Sequence, residues 1–259
     1  MIGVFGGSGF YDFLDDPKRV AVDTPYGPPS AEFSVGSFSG VEVAFLPRHG
    51  DDHQFPAHRV PYRANAWAMK ELGVDRVIGP CAVGSLQAHV EPGHLVVSDQ
   101  IVDRSWGRES TFFDGPETRH LGFADPYCSE LRPLAVAACR EAGAVTHDGG
   151  TVVVIQGPRF STRAESADFA SSGWEIINMT QAPEAQLVRE LELCYVNISV
   201  VTDYDAGVAG EIEPVTHAAV LEKFNATLGT LRDSLAGLIP EAAKTARKCQ
   251  CATGMAAAG

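Results

Sequence analysis

The chain has 259 residues, enough for one sizeable hydrophobic core or at most two modest ones. Acidic residues outnumber basic ones by 33 to 20, for a formal charge of -13. That balance points away from a protein that coats nucleic acid, although a local basic pocket can still hold a small anion. No stretch of about 18 apolar residues exists, so no membrane span is expected.

The amino terminus, "MIGVFGGSGF", has no basic leader ahead of an apolar run and reads as a first strand opening into a glycine loop, not as a signal peptide. Residues 31–50 read as two strands joined at Ser39-Gly40, the second ending in Arg48-His49-Gly50. Residues 60–73 have helical spacing, with Gly73 as the stop. Residues 74–86 return to strand and then a small-residue turn. Residues 92–104 form another strand with a polar end. "GGTVVVIQGPRFST" (149–162) is an apolar strand followed by Gly157-Pro158. Short helices are expected in 163–173 and 182–192. The run Tyr195 to Val201 reads as one buried strand. An amphipathic helix is expected over 216–239. Strands and helices intermix without a linker, so the fold class is α/β, with one domain over 1–247 and a flexible tail over 248–259. The six cysteines, Cys81, Cys128, Cys139, Cys194, Cys249 and Cys251, look like the reduced thiols of a cytoplasmic protein. "CQC" at 249–251 could be a redox pair, a reactive tail or a metal clip, and reduced thiols are the favoured reading.

In such folds ligands gather at strand ends. "GGSG" offers Gly6, Gly7, Ser8 and Gly9. Glycines let backbone N–H groups approach an anion, and the Ser8 hydroxyl adds a donor. The pattern is neither G-x-G-x-x-G nor a Walker loop, and a plain tight turn explains it equally well. Arg48 emerges from a strand end, where a guanidinium can hold two phosphate oxygens, with His49 beside it. The competing reading pairs Arg48 with one of the many acids. His49, His53 and His58 fit no common zinc spacing, so no metal is expected. Asp203 and Asp205, in "VVTDYDAG", sit two apart where a strand leaves the core and would face the same way. Two such carboxylates repel, so one would keep a proton near neutral pH. Together they suit a 6-amino purine edge: one accepts from the N6 amine and the other donates to N7. A helix cap, a surface pair or a magnesium site remains the alternative.

In this order "GGSG", "DTPYGPPS", "LPRHG", "PYRANAWAMKELG", "AVGSL", "DQIVDR", "FFDG", "QGPRFSTRAES", "NMTQAPEA" and "TDYDAG" resemble the methylthioadenosine phosphorylase branch of the trimeric purine nucleoside phosphorylases, from Ile2 to about Ile239. The resemblance implies an α/β fold around a central mixed sheet flanked by helices, and a homotrimer. It implies a pentosyltransferase that cleaves S-methyl-5′-thioadenosine with inorganic phosphate as co-substrate, with no cofactor. It places Ser8, Arg48, His49, Ala82 and Thr180 at phosphate, Phe160 and Ser161 at the base, Met179 at the ribose, and Asp203 and Asp205 at N7 and N6, where they are also the catalytic pair. Two departures stand out. Cys81 replaces a threonine common near phosphate, and a thiol is a poor donor. His217 falls near the 5′ substituent, where an aliphatic residue suits a methylthio group and a histidine suits a hydroxyl. Leu221, one turn on, would keep that end partly apolar. Phosphorolysis of adenosine or of a broader set of purine nucleosides is therefore the alternative activity. A dinucleotide oxidoreductase fails on its glycine pattern, and an interaction protein on the repeated pairing of strand ends with polar clusters. A hydrolytic nucleosidase would lack the Arg48–His49 donors.

Overall fold

The computed structural model describes residues 1–7, 10, 14–210 and 215–255. In chain order these form β1 (Ile2–Gly6), β2 (Asp15–Val20), β3 (Phe33–Phe38), β4 (Val41–Pro47), α1 (Tyr62–Glu71), β5 (Arg76–Ile78), β6 (Cys81–Ser85), β7 (Leu95–Val97) and β8 (Gln100–Arg104). There follow α2 (Leu131–Glu141), β9 (Thr146–Asp148), β10 (Thr151–Ile155), α3 (Arg163–Ser171), β11 (Ile176–Asn178), α4 (Gln181–Glu190), β12 (Cys194–Val196), β13 (Ser199–Tyr204) and α5 (His217–Lys244). The expected α/β architecture holds, with the mixed sheet in two parts. One has the order β12-β5-β1-β4-β3-β2 and the other β8-β10-β11-β6-β13-β7-β9.

The first sheet is parallel from β12 to β4 and antiparallel beyond. Every residue of β1 is buried, as befits a parallel strand covered on both faces. The β3–β4 hairpin turns where expected, with Ser39 at φ 48° and Gly40 at φ 76°, the left-handed pair that a two-residue turn requires. Gly73 ends α1 in the same region, at φ 77°.

Three stretches expected as single strands are each two strands. Residues 74–86 form β5 in the first sheet and β6 in the second, and 194–202 form β12 and β13 in the same way. The two crossings run side by side: Gly79 N–H donates to Val196 O at 2.9 Å and Cys81 N–H to Ile198 O at 3.2 Å. The fully buried Asn197 amide donates to the Gly79 carbonyl, so a bond that neither sheet makes is supplied by a side chain. Residues 92–104 break at Ser98-Asp99 into β7 and β8, which lie near opposite edges of the second sheet.

One core cluster joins β1, α2 and α5, and includes Ile2, Val136, Phe224 and Leu235. The segment expected as a frayed tail is packed as far as Met255. Cys251 and Met255 are buried, and Lys248 N–H donates to the Glu130 carboxylate. No helix among the described residues is long and apolar enough to cross a membrane.

Candidate active site

The C-terminal ends of β1 and β4 adjoin. Gly6 pairs with Pro47 in register, and Arg48 N–H donates to Gly6 O at 2.8 Å. Gly6 and Gly7 are thereby laid against Arg48. The C-terminal ends of β6 and β13 adjoin likewise, with Asp203 opposite Gly84. Between these two places lies a cavity of about 410 Å³. Its wall includes Gly7, Arg48, His49, Ala82, Thr180, Met179, Phe160, Ser161, Asp203, Asp205 and His217. Ser8 lies outside the described residues. Leu221 does not line the cavity; Val220 does, because one residue turns the surface of a helix by about 100°.

Arg48 is 1 % exposed. Its Nε and Nη2 donate to the two carboxylate oxygens of Glu184 at 2.5 and 2.9 Å, and Tyr195 Oη donates to the same carboxylate at 2.7 Å. Burial alone would depress the guanidinium, but Glu184 more than offsets this and holds it above its ordinary range. The expected alternative, an Arg48 paired with an acid, is thus realised inside the cavity wall. Nη1 is not taken by Glu184. It makes one long contact to Pro80 O at 3.3 Å, and a Cβ on Gly7 would sit 3.3 Å from it. A glycine at position 7 therefore leaves room beside Nη1.

The His49 ring donates from Nδ1 to Phe55 O at 2.8 Å and stacks on His53 with centroids 4.4 Å apart. Burial first and the Arg48 charge second push it down to about 3, so the ring is neutral and its Nε2 carries a lone pair. The expected role of His49 as a simple donor changes accordingly: in the neutral ring the second nitrogen accepts. Cys81 lines the same end, but its sulfur accepts from Asn178 and Asn197 amides at 3.3 Å each. It acts as the hub of a buried polar network. Thr180, the N-cap of α4, is held through Asn178, whose amide donates to its Oγ1 at 3.2 Å.

At the other end the pairing of β13 with β6 slips between Val201 and Asp203, inserting Thr202 as a bulge. Thr202 Oγ1 donates to Asp203 Oδ1 at 2.7 Å. A Cβ on Gly84 would sit 3.2 Å from Asp203 Oδ2, so the glycine makes room for that carboxyl. The Asp203 carboxyl is pushed up to about 7. The expectation of a retained proton is met, but its main cause is burial, with Asp205 a lesser contributor. Asp205 is 2 % exposed and accepts a 2.6 Å bond from Ser166 Oγ. Ser161 Oγ is buried and has no hydrogen-bond partner among the described residues. Phe160, half-buried, follows the Gly157-Pro158 turn, and a Cβ at Gly157 would sit 2.6 Å from the Met179 sulfur. The Met179 carbonyl accepts from Arg108 at 2.8 Å. His217, the first residue of α5, is exposed at the cavity rim, 5.7 Å from the His53 ring.

Sequence reasoning missed Glu184, Ser166 and Thr202 as partners of the predicted residues, and Gly84 as the space around them. Glu184 stands in the quoted "NMTQAPEA" and Gly84 in "AVGSL", so the signal lay in short motifs whose partners are far along the chain.

The phosphorylase superfamily model matches residues 1–240, and the chain belongs to that family. It is 59% identical over 209 residues to an S-methyl-5′-thioadenosine phosphorylase of Mycolicibacterium smegmatis, covering 80% of this chain and 78% of that one. It is 50% identical over 262 residues to a purine nucleoside phosphorylase of Streptomyces coelicolor, covering 96% and 92%. Among solved structures, a methylthioadenosine phosphorylase from Schistosoma mansoni in complex with adenine matches with a TM-score of 0.88 at 36% identity, over 95% of this chain and 92% of that chain.

Proposed function

We propose that the protein cleaves S-methyl-5′-thioadenosine with inorganic phosphate, releasing adenine and 5-methylthioribose 1-phosphate. The observation that carries this reading is the meeting of Arg48, whose Nη1 lies beside Gly7, and the Asp203–Asp205 pair in one cavity. The relatives named methylthioadenosine phosphorylase support it.

Phosphate enters between the glycine loop and Arg48, and Nη1 donates to it. Neutral His49 accepts a hydrogen bond at Nε2 from the one O–H of monohydrogen phosphate, so the anion is held as its reactive dianion beside an uncharged imidazole. Thr180 and the backbone at Ala82 complete the shell, and Ser8 joins from the loop. The purine lies between Phe160 and the acids. Asp205, oriented by Ser166, accepts from the N6 amine. Asp203, protonated near pH 7, donates to N7. Ser161, buried without a partner, bonds the base edge. At Met179 the carbonyl is engaged by Arg108, so backbone contact with the ribose hydroxyls falls to the N–H.

The glycosidic bond breaks ahead of full attack. The sugar gains positive charge, which the phosphate beneath C1′ stabilises, and the departing base gains electrons that Asp203 relieves by giving up its proton. Electrostatic preorganisation and acid assistance suffice, and no covalent intermediate or cofactor is required. The active form is read as a cytoplasmic homotrimer.

A second reading, phosphorolysis of adenosine or other purine nucleosides, is favoured by His217 at the cavity rim, which can bond a 5′-hydroxyl. The test is a phosphate-dependent assay on methylthioadenosine, adenosine, inosine and methylthioinosine. The 6-amino pair is expected to turn over faster, since a 6-oxo group would meet an acceptor at a cost of about 1–3 kcal/mol. Equal turnover of the 6-oxo pair would remove the base-edge role from Asp203 and Asp205, and turnover without phosphate would end the reading altogether.

A further inference from the structure

Away from the cavity, four of the six cysteines meet. Cys128 precedes α2, Cys194 opens β12, and Cys249 and Cys251 follow α5 around a single 3-10 turn. Their four sulfurs all lie within 4.8 Å of one another, and three of the four residues are buried. Cys194 Sγ lies 3.3 Å from Cys249 Sγ, well beyond the covalent sulfur–sulfur bond of about 2.05 Å. A tetrahedron of thiolates at about 2.3 Å from a central zinc has edges of about 3.8 Å, within the spread seen here. An iron–sulfur cluster would need its thiolates spaced around a larger body.

The surroundings add a second, independent observation. Arg247 lies beside Cys194 and Cys249, and Arg189 beside Cys251. Arg189 is 7 % exposed, and the Nε of each guanidinium is buried without a hydrogen-bond partner among the described residues. Neither forms an ion pair with a carboxylate among the described residues. One buried and one partly buried cation without carboxylate partners among the described residues, set against four sulfurs, fit a group of net negative charge. A divalent cation held by four thiolates carries a charge of about −2, which the two arginines balance. Leu131 N–H points at the Cys128 sulfur at 3.5 Å, the kind of backbone donor that steadies a thiolate ligand.

We propose that Cys128, Cys194, Cys249 and Cys251 form a closed, mononuclear tetrathiolate site for zinc. None of the four lines the catalytic cavity, so the ion is structural. It ties three distant parts of the chain together: the segment before α2, an edge strand of the first sheet, and the segment beyond α5. The backbone already points the same way, since Cys128 N–H donates to Tyr195 O at 2.8 Å and Lys248 N–H to Glu130. The C-terminal Cys-x-Cys supplies two of the four ligands. Its packing then has a cause beyond the modest apolar surface of residues 248–255.

The test uses the full chain, purified under reducing conditions without chelator. Elemental analysis is expected to find one zinc per chain, released as a mercurial titrates four thiols. Exchange with cobalt should give the visible bands of a tetrahedral thiolate site. The double variant Cys249→Ser, Cys251→Ser should lose the zinc and melt several degrees lower while keeping phosphorolysis at moderate temperature. The proposal fails if the reduced protein is isolated without stoichiometric metal and does not take up added zinc. It also fails if the intact mass, measured without reductant, is lighter by the hydrogens of one or two disulfides drawn from these cysteines. Should the double variant not fold, the metal content of the unaltered chain decides alone.

Discussion

At the Arg48 end of the cavity, charge is balanced before any ligand arrives; at the Asp203 end, charge is withheld. Arg48 sits against Glu184, and Glu184 in turn accepts from Tyr195, so a buried cation and anion cancel and only Nη1, beside Gly7, is left outside the pair with Glu184 and the Phe5 carbonyl. Asp203 has no cationic partner among its described contacts. It keeps its proton because burial disfavours the ionised form. The first arrangement suits an anion whose charge hardly changes during binding. The second suits a group that must give up a proton as the base departs. One cavity thus combines a fixed countercharge with a titrating acid, and each substitution below is chosen to affect one end and spare the other.

The largest effect is expected from Asp203→Ala. Removing a general acid typically costs about 10²–10⁴-fold in rate. The loss should fall on kcat with methylthioadenosine, with little change in KM for phosphate, as steady-state kinetics at saturating phosphate would show. An equal rise in phosphate KM would mean that the two ends are not separable.

Next comes Glu184→Gln. It leaves Arg48 buried without its counter-ion, and breaking such a pair costs about 3–5 kcal/mol of stability. Urea unfolding should show this directly. Inorganic phosphate should restore more of the lost stability in the variant than it adds to the unaltered protein, because the anion then supplies the missing negative charge. If phosphate protects both equally, Nη1 does not face the anion.

The two ends were not equally legible in the sequence. "RHG" and "TDYDAG" each follow an apolar run, and in parallel sheets the residues just past such runs reach the ligand, so the candidate residues could be named from position alone. Their partners could not. Glu184 lies 136 residues from Arg48, and nothing local in "APEA" indicates which cation it meets. The bulge at Thr202 depends on a one-residue slip against β6, which a period-2 reading of one strand cannot register. The passages at Gly79-Pro80 and Asn197-Ile198 looked like strand interiors because both sides are apolar. That they change sheets is a property of the two strands lying together. The same holds for the thiols: "CQC" was visible, but its meeting with Cys128 and Cys194 is a product of the fold.

A third, intermediate effect concerns pH. For Asp203 the folded carboxyl binds its proton more tightly than the unfolded one, so the folded state carries the extra proton between the ordinary carboxylate range and about pH 7. Stability from this group therefore falls as pH rises through that window. Asp203→Asn should melt higher than the unaltered protein above about pH 7, with the advantage gone below about pH 4. The rate should show the same titration, since the acid is lost above about pH 7: kcat is expected to fall about tenfold per pH unit there. The residual activity of Asp203→Ala should lack that limb, whereas the ionisation of phosphate itself would persist in its KM. A limb that survives in the variant would assign the titration to phosphate or His49.

The smallest effect expected is at the rim, where the two ends meet the 5′ substituent. His217 opens α5 and Val220 lines the cavity one turn later, so a polar and an apolar side chain share that wall. A hydroxyl gains a partner in the histidine, and a methylthio group gains contact with the valine. Replacing His217 with Val removes the polar half. The ratio of kcat/KM for methylthioadenosine over adenosine should rise by about 10-fold, the scale set by one hydrogen bond at a partly exposed position. Leu221→Ala, which changes a residue off the cavity wall, should leave the ratio unaltered. A ratio that moves with Leu221 and not with His217 would mean that the start of α5 is rotated relative to the cavity, and that the 5′ group is recognised by a different face of the helix.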